Sequence, residues 1–183
     1  MKLRPFQLSD TAAVVTVYRN AIRTIGPAKY NPEEVEAWAR HPEDVHDFGM
    51  RLTRGYTLVA EADSQIHAFG QVEPFDCFSF LYTAGGAKAK CLGVSLYNAL
   101  EDHAYFGGVI DLYAEVSRIG RPFAERRGFV VYEIVHQTLF GVDFEWYRMK
   151  KTREAALSPR FARRGSGSAI VEDRVMDCPR RAS

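Results

Sequence analysis

Long apolar runs, cysteine and net charge are all scarce in this 183-residue sequence. No stretch reaches the roughly 20 consecutive apolar residues that a membrane-spanning helix needs. The opening MKLRPFQLSD lacks the apolar core of a secretory signal. The three cysteines, Cys77, Cys91 and Cys178, are an odd number without C-x-x-C spacing. That pattern argues against a disulfide framework and for reduced thiols in a cytoplasmic protein. A formal charge of +1 gives the whole chain no pull toward nucleic acid or a membrane surface.

What remains is a globular balance, with 46% apolar and 26% charged residues. Twelve Phe and nine Tyr supply large units of buried area. The length suits one ordinary domain with a sizeable core. Charge is uneven along it. Residues 151–183 hold eight Lys/Arg against four Asp/Glu, a net of +4 that leaves −3 for residues 1–150. The same segment contains Gly165-Ser166-Gly167-Ser168 and Arg180-Arg181 without a sustained apolar period. It reads as a basic, mobile C-terminal tail, either a plain solvated extension or an arm for an acidic partner.

Residues 1–150 alternate between helix and strand signals. Lys2–Phe6 reads as a short strand. Ser9 or Asp10 then caps a helix whose Val14, Val15, Val17, Tyr18, Ala21 and Ile22 recur at helical spacing. Gly26-Pro27 stops it. Asn31-Pro32 opens a second helix, with Val35 and Trp38 on its apolar face. A third runs from about Pro42 to Thr53. Three strands follow, Tyr56–Glu61, Gln65–Glu73 and Phe75–Thr83, the first two split by a tight turn. Lys88 to Phe106 is helical, Val109–Val116 a strand, Arg121–Arg127 a short helix, and Phe129–Gln137 and Phe140–Met149 two last strands. This is a mixed α/β order with one central crossover helix.

Three stretches carry a family resemblance. The first is Leu3-Arg4-Pro5-Phe6 with Tyr18-Arg19-Asn20-Ala21, continuing into Tyr30-Asn31-Pro32-Glu33-Glu34. The second is Phe80-Leu81-Tyr82-Thr83, a loop, then Gly93-Val94-Ser95-Leu96. The third and most specific is Glu115-Val116-Ser117 followed by Arg121-Pro122-Phe123 and Glu125-Arg126-Arg127-Gly128-Phe129. Over residues 1–150 the chain resembles the GNAT family of N-acetyltransferases, in its small bacterial branch. The resemblance implies an acyl-CoA N-acyltransferase-like mixed sheet with helices on both faces. It also implies direct transfer of an acetyl group from acetyl-CoA to a primary amine of a small molecule or peptide. Many such relatives are homodimers.

The resemblance and elementary electrostatics meet at the start of the central helix, where free amides and a partial positive charge suit a diphosphate. Lys88, Ala89, Lys90, Cys91, Leu92 and Gly93 occupy that place. By resemblance, the backbone of Leu81, Tyr82 and Thr83 pairs with the pantetheine arm, and Ser117 and Phe123 line it. The chain departs from the family pattern at three positions. Cys91 replaces the first glycine of the phosphate loop, Ser79 stands where relatives often have an acid, and Ala124 follows Phe123 where several have a tyrosine acid. The departures leave Tyr82, Tyr113 and Tyr132 as unranked proton donors for the thiolate. They also keep open a second reading, a weakly active or inactive protein that binds acyl-CoA as a sensor or scaffold.

Transfer needs a neutral amine, so a carboxylate or histidine is sought as proton acceptor. Glu73, which ends a strand before Pro74, and Glu115, set between apolar neighbours, are the candidates. Each also has a plain reading, as a solvated strand end or an arginine partner. Tyr30 and Trp38 are candidates for the acceptor cleft, with packing as the alternative. His41 and His46 stand beside Asp44 and Asp47, but their spacing does not match one helical face, and no metal is expected.

Overall fold

The computed structural model describes residues 2–85 and 89–153. Lys88 and residues 154–183 of the expected tail lie outside the described residues. The elements are β1 (Lys2–Pro5), α1 (Thr11–Ile25), α2 (Pro32–Arg40), α3 (Val45–Leu52), β2 (Tyr56–Ala62), β3 (Gln65–Val72), β4 (Cys77–Thr83), α4 (Ala89–Phe106), β5 (Asp111–Ser117), α5 (Arg121–Arg126), β6 (Val130–Leu139) and β7 (Val142–Thr152).

Seven strands form one sheet in the order β1-β2-β3-β4-β5-β7-β6. All neighbours are antiparallel except β4 and β5, which run parallel because α4 carries the chain across the sheet between them. Helices cover both faces, as an α/β mixed sheet requires. On one face α4 packs Leu92, Leu96 and Leu100 against Leu58, Ala68 and Phe78. On the other, Val14, Tyr18 and Ile22 of α1, with Trp38 of α2 and Phe48 of α3, cover Val59, Phe69, Phe80 and Phe144.

Local chemistry sets the ends of these elements. The Asn31 side chain accepts from the Glu34 amide at 2.9 Å, and the Glu34 carboxylate accepts from the Asn31 amide at 2.7 Å. Two otherwise orphaned donors are thus satisfied at the start of α2. Asp10 precedes α1 but makes no side-chain cap to it. Its carboxylate instead takes Arg4 Nη1 at 2.7 Å and the Gln7 amide at 2.8 Å, so the expected cap is diverted into an ion pair. The third helix begins three residues later than expected, at Val45, because Asp44 caps it by accepting from the Asp47 amide at 2.9 Å. β7 runs through Thr152, beyond the expected edge of the domain, and Lys151 reaches Glu101 of α4 at 2.6 Å.

One irregularity positions everything that follows. Val72 faces Phe78 and Gln71 faces Phe80, so Ser79 is an extra residue in β4. A bulge of this kind bends its strand and raises its twist. It also breaks side-chain alternation: Phe78 packs with α4, whereas Phe80 packs with α1 and α3.

Candidate active site

β4 and β5 pair only at Cys77–Tyr113 and Phe78–Ala114. Beyond the bulge the strands part, and residues 79–83 turn an unzipped backbone edge toward Glu115–Ser117. A cavity of ≈ 190 Å³ opens there. Its walls include Leu81, Tyr82, Thr83, Val116, Ser117 and Phe123. Five of the residues expected to hold a pantetheine arm therefore come together around one gap. Ser117 is buried, and its Oγ accepts from the Gly120 amide at 3.1 Å, which fixes the turn into α5.

α4 begins at Ala89, so Lys90 and Cys91 belong to its first turn instead of a preceding loop. The amides of that turn lack partners within the helix. Cys91 is exposed and free, while Leu92 points into the core. Gly93 lies against the end of β4, where a Cβ would meet Thr83 Cγ2 at 3.4 Å. The helix start and the gap are thus adjacent. Cys77 is buried in β4.

A second cavity of ≈ 110 Å³ lies toward α1 and α3, lined by Tyr18, His41, Arg51, Cys77, Gln137 and Leu139, among others. Trp38, Ser79, Tyr82, Glu115 and Trp146 line both cavities. Tyr82 is half-buried between Phe69 and Tyr18, with ring centroids 5.6 and 4.6 Å away. Burial pushes its phenol up to about 12. Tyr18 is raised for the same reason. Burial, with help from Arg51, lowers the His41 imidazole below its ordinary range.

The other expected residues divide. Glu115 faces both cavities, but one carboxylate oxygen takes Arg148 Nε at 3.0 Å and the other Gln137 Nε2 at 3.3 Å. Glu73 lines neither cavity, and its carbonyl accepts from Ser79 Oγ at 2.5 Å. Tyr30 is buried against Trp38 and Phe144 and accepts from the Arg118 amide at 3.1 Å, which is packing. Tyr113 and Tyr132 stack edge-to-face with each other and line neither cavity. Asp44, His46 and Asp47 can bring ligand atoms within 4.8 Å, but all three are exposed and Asp44 is spent on capping.

Sequence reasoning missed His41 and Arg51 as wall residues. His41 follows the last turn of α2, and Arg51 sits between the buried Gly49 and Leu52 on α3. A basic residue flanked by core positions was the available signal for the second.

No protein-family model matches the chain. No curated protein matches it either. Solved structures do. A GCN5-related N-acetyltransferase from Rhodopseudomonas palustris, also named aminotransferase class-II, superposes with a TM-score of 0.79 at 26% identity, over 83% of this chain and 95% of that one. PaiA N-acetyltransferase from Thermoplasma acidophilum, solved with coenzyme A, gives 0.67 at 20% identity, over 83% and 98%. YncA from Salmonella typhimurium, solved with acetyl-CoA, gives 0.59 at 19%, over 88% and 99%. With its mixed seven-stranded sheet, its β4 bulge and its parted central strands, this chain has the fold of the GNAT N-acetyltransferases.

Proposed function

We propose that the chain is an acetyl-CoA-dependent N-acetyltransferase acting on a primary amine of a small molecule or peptide. The observation that carries this reading is the gap: two paired residues, then diverging strands around a cavity of ≈ 190 Å³. The residues present suit the cosubstrate. The free edge of Leu81–Thr83 offers backbone donors and acceptors to an amide-bearing arm. The first turn of α4 offers amides to a diphosphate, and Gly93 permits close approach beside Thr83. Leu81, Val116 and Phe123 supply an apolar wall. PaiA with coenzyme A and YncA with acetyl-CoA support the same assignment.

Bound acetyl-CoA supplies an activated acetyl thioester. The chain's part is to hold it, to keep bulk water out with aromatic walls, and to present an amine from the α1–α3 side. Backbone N–H groups at the β4 bulge are suited to hydrogen-bond the thioester oxygen as it gains charge. Tyr82, at about 12, keeps its proton. A free thiol titrates near ~8.5, so transfer from Tyr82 to a departing thiolate is uphill, and solvent protonates the thiolate.

A second reading, acyl-CoA binding without turnover, draws on Cys91 in the phosphate-facing turn. Calorimetry with acetyl-CoA tests the cleft, and absence of binding removes both readings. Thiol release over a panel of primary amines then separates them: turnover supports the first, and binding without release on any amine supports the second.

A further inference from the structure

We propose that His41 is the proton acceptor for the incoming amine, in a chamber that fits a small amine with a flat apolar body. This rests on the acetyl-transfer reading above. The chamber is the ≈ 110 Å³ cavity on the α1–α3 side. Its size is close to the roughly 150 Å³ that encloses a benzene ring in an engineered core. Tyr18, Trp38, Phe80, Tyr82 and Trp146 wall it with aromatic faces, which favour planar partners. Trp146 Nε1 is buried there without a hydrogen-bond partner among the described residues, a donor suited to a ligand acceptor or π face. Through Ser79, Tyr82 and Glu115 the chamber shares walls with the strand gap, so an amine held in it borders the expected thioester site.

Elimination selects His41 as the base. Tyr18 on α1 and Tyr82 on β4 face it with phenols that stay protonated. Arg51 on α3 is cationic and stacks on Phe80 at 4.8 Å. Glu115 on β5 is spent on Arg148 and on Gln137 of β6. Glu43, nearby in the chain, pairs with Arg40 at 2.7 Å. The His41 ring meets Tyr18 edge-on at 6.2 Å, and burial beside Arg51 keeps it neutral. It thus carries a lone pair at neutral pH. In the step, the amine nitrogen bonds the acetyl carbonyl carbon and its proton passes to a His41 ring nitrogen. The carbon–sulfur bond breaks, the thiolate takes a proton from solvent, and His41 returns its proton to solvent.

The probe is para-toluidine, a weakly basic arylamine; because its own ammonium form enters in mild acid, only an acid limb that His41→Gln removes is assigned to the enzyme. In the full chain, the His41 imidazole resonance is assigned by its loss in His41→Gln and followed as para-toluidine is added. We expect it to shift on addition and to titrate below ordinary histidine. With acetyl-CoA, His41→Gln and His41→Asn are expected to lose roughly a hundredfold in kcat/KM, to lose the acid limb, and to keep acetyl-CoA affinity, which also reports folding. A resonance unmoved by the amine, or variants that retain the wild-type limb, overturns the assignment. If para-toluidine is not turned over, the resonance alone decides. Loss of acetyl-CoA binding in the wild type sinks the parent reading, whatever His41 does.

Discussion

Phe78 of β4 and Ala114 of β5 are the last residues to face each other across the parallel pair. The next residue, Ser79, is the one added by the bulge, and its hydroxyl turns back to the Glu73 carbonyl at 2.5 Å. The gap on which the proposed chemistry depends is therefore built into β4 itself.

Gly93→Glu places a carboxylate beside Thr83 and the first turn of α4. Its repulsion of a diphosphate is expected to weaken acetyl-CoA at least tenfold, about 1.4 kcal/mol. Gly93→Ala, whose Cβ meets only Thr83 Cγ2 at 3.4 Å, is expected to bind within about threefold of wild type. Calorimetry on the pair separates charge from bulk.

Tyr82→Phe removes a phenol held at about 12. Because that group is a poor acid for a thiolate, kcat is expected to stay within about tenfold of wild type, well short of the hundredfold or more that a general acid commands. Steady-state thiol release measures it, and a larger fall in kcat with KM unchanged would make Tyr82 the donor.

The Asp10 carboxyl is held below its ordinary range, chiefly by its hydrogen bond from Arg4 and against the opposing effect of burial. A depressed carboxyl stabilises the fold above its unfolded value, near ~3.9, and that stabilisation is lost as pH falls through the folded value. Asp10→Asn is therefore expected to unfold earlier in urea at neutral pH. The difference from wild type should shrink in acid below the carboxylate range, as paired denaturation curves will show.

Asp63 and Ser64 join β2 to β3 with φ of 51° and 58°, a left-handed pair that favours Asn-Gly. Ser64→Gly relieves a left-handed penalty of about 1–2 kcal/mol against an entropic cost of about 0.4–1 kcal/mol, so a modestly raised urea midpoint with unchanged slope is expected.

Much of this fold was legible because its elements announce themselves locally. The Val14–Ile22 spacing and the Asn31–Glu34 box sit where the structure has α1 and α2. Where reading failed, a distant partner had intervened. Arg4 drew Asp10 away from capping. Thr152 and Lys151, too polar to read as strand, pair with Asp111 and Leu112 and extend β7. The residues that line the strand gap were legible because they follow one another along β4, β5 and α5. Of the second cavity's walls, Trp38 and Glu115 were legible, whereas His41, Arg51, Gln137 and Trp146 come from separate parts of the chain and share no spacing.

The short parallel ladder also makes a mechanical seam. Two residue pairs, helped by α4 on one face and by the α1–α3 layer against Phe144 and Trp146 on the other, rivet β1–β4 to the β5–β7 half. A molecule lodged in the gap would bridge both halves as a substitute strand, so occupancy should tighten the sheet as one cooperative body. Slowed amide exchange along residues 79–83 and 115–117, on strands facing each other across the seam, would be its signature.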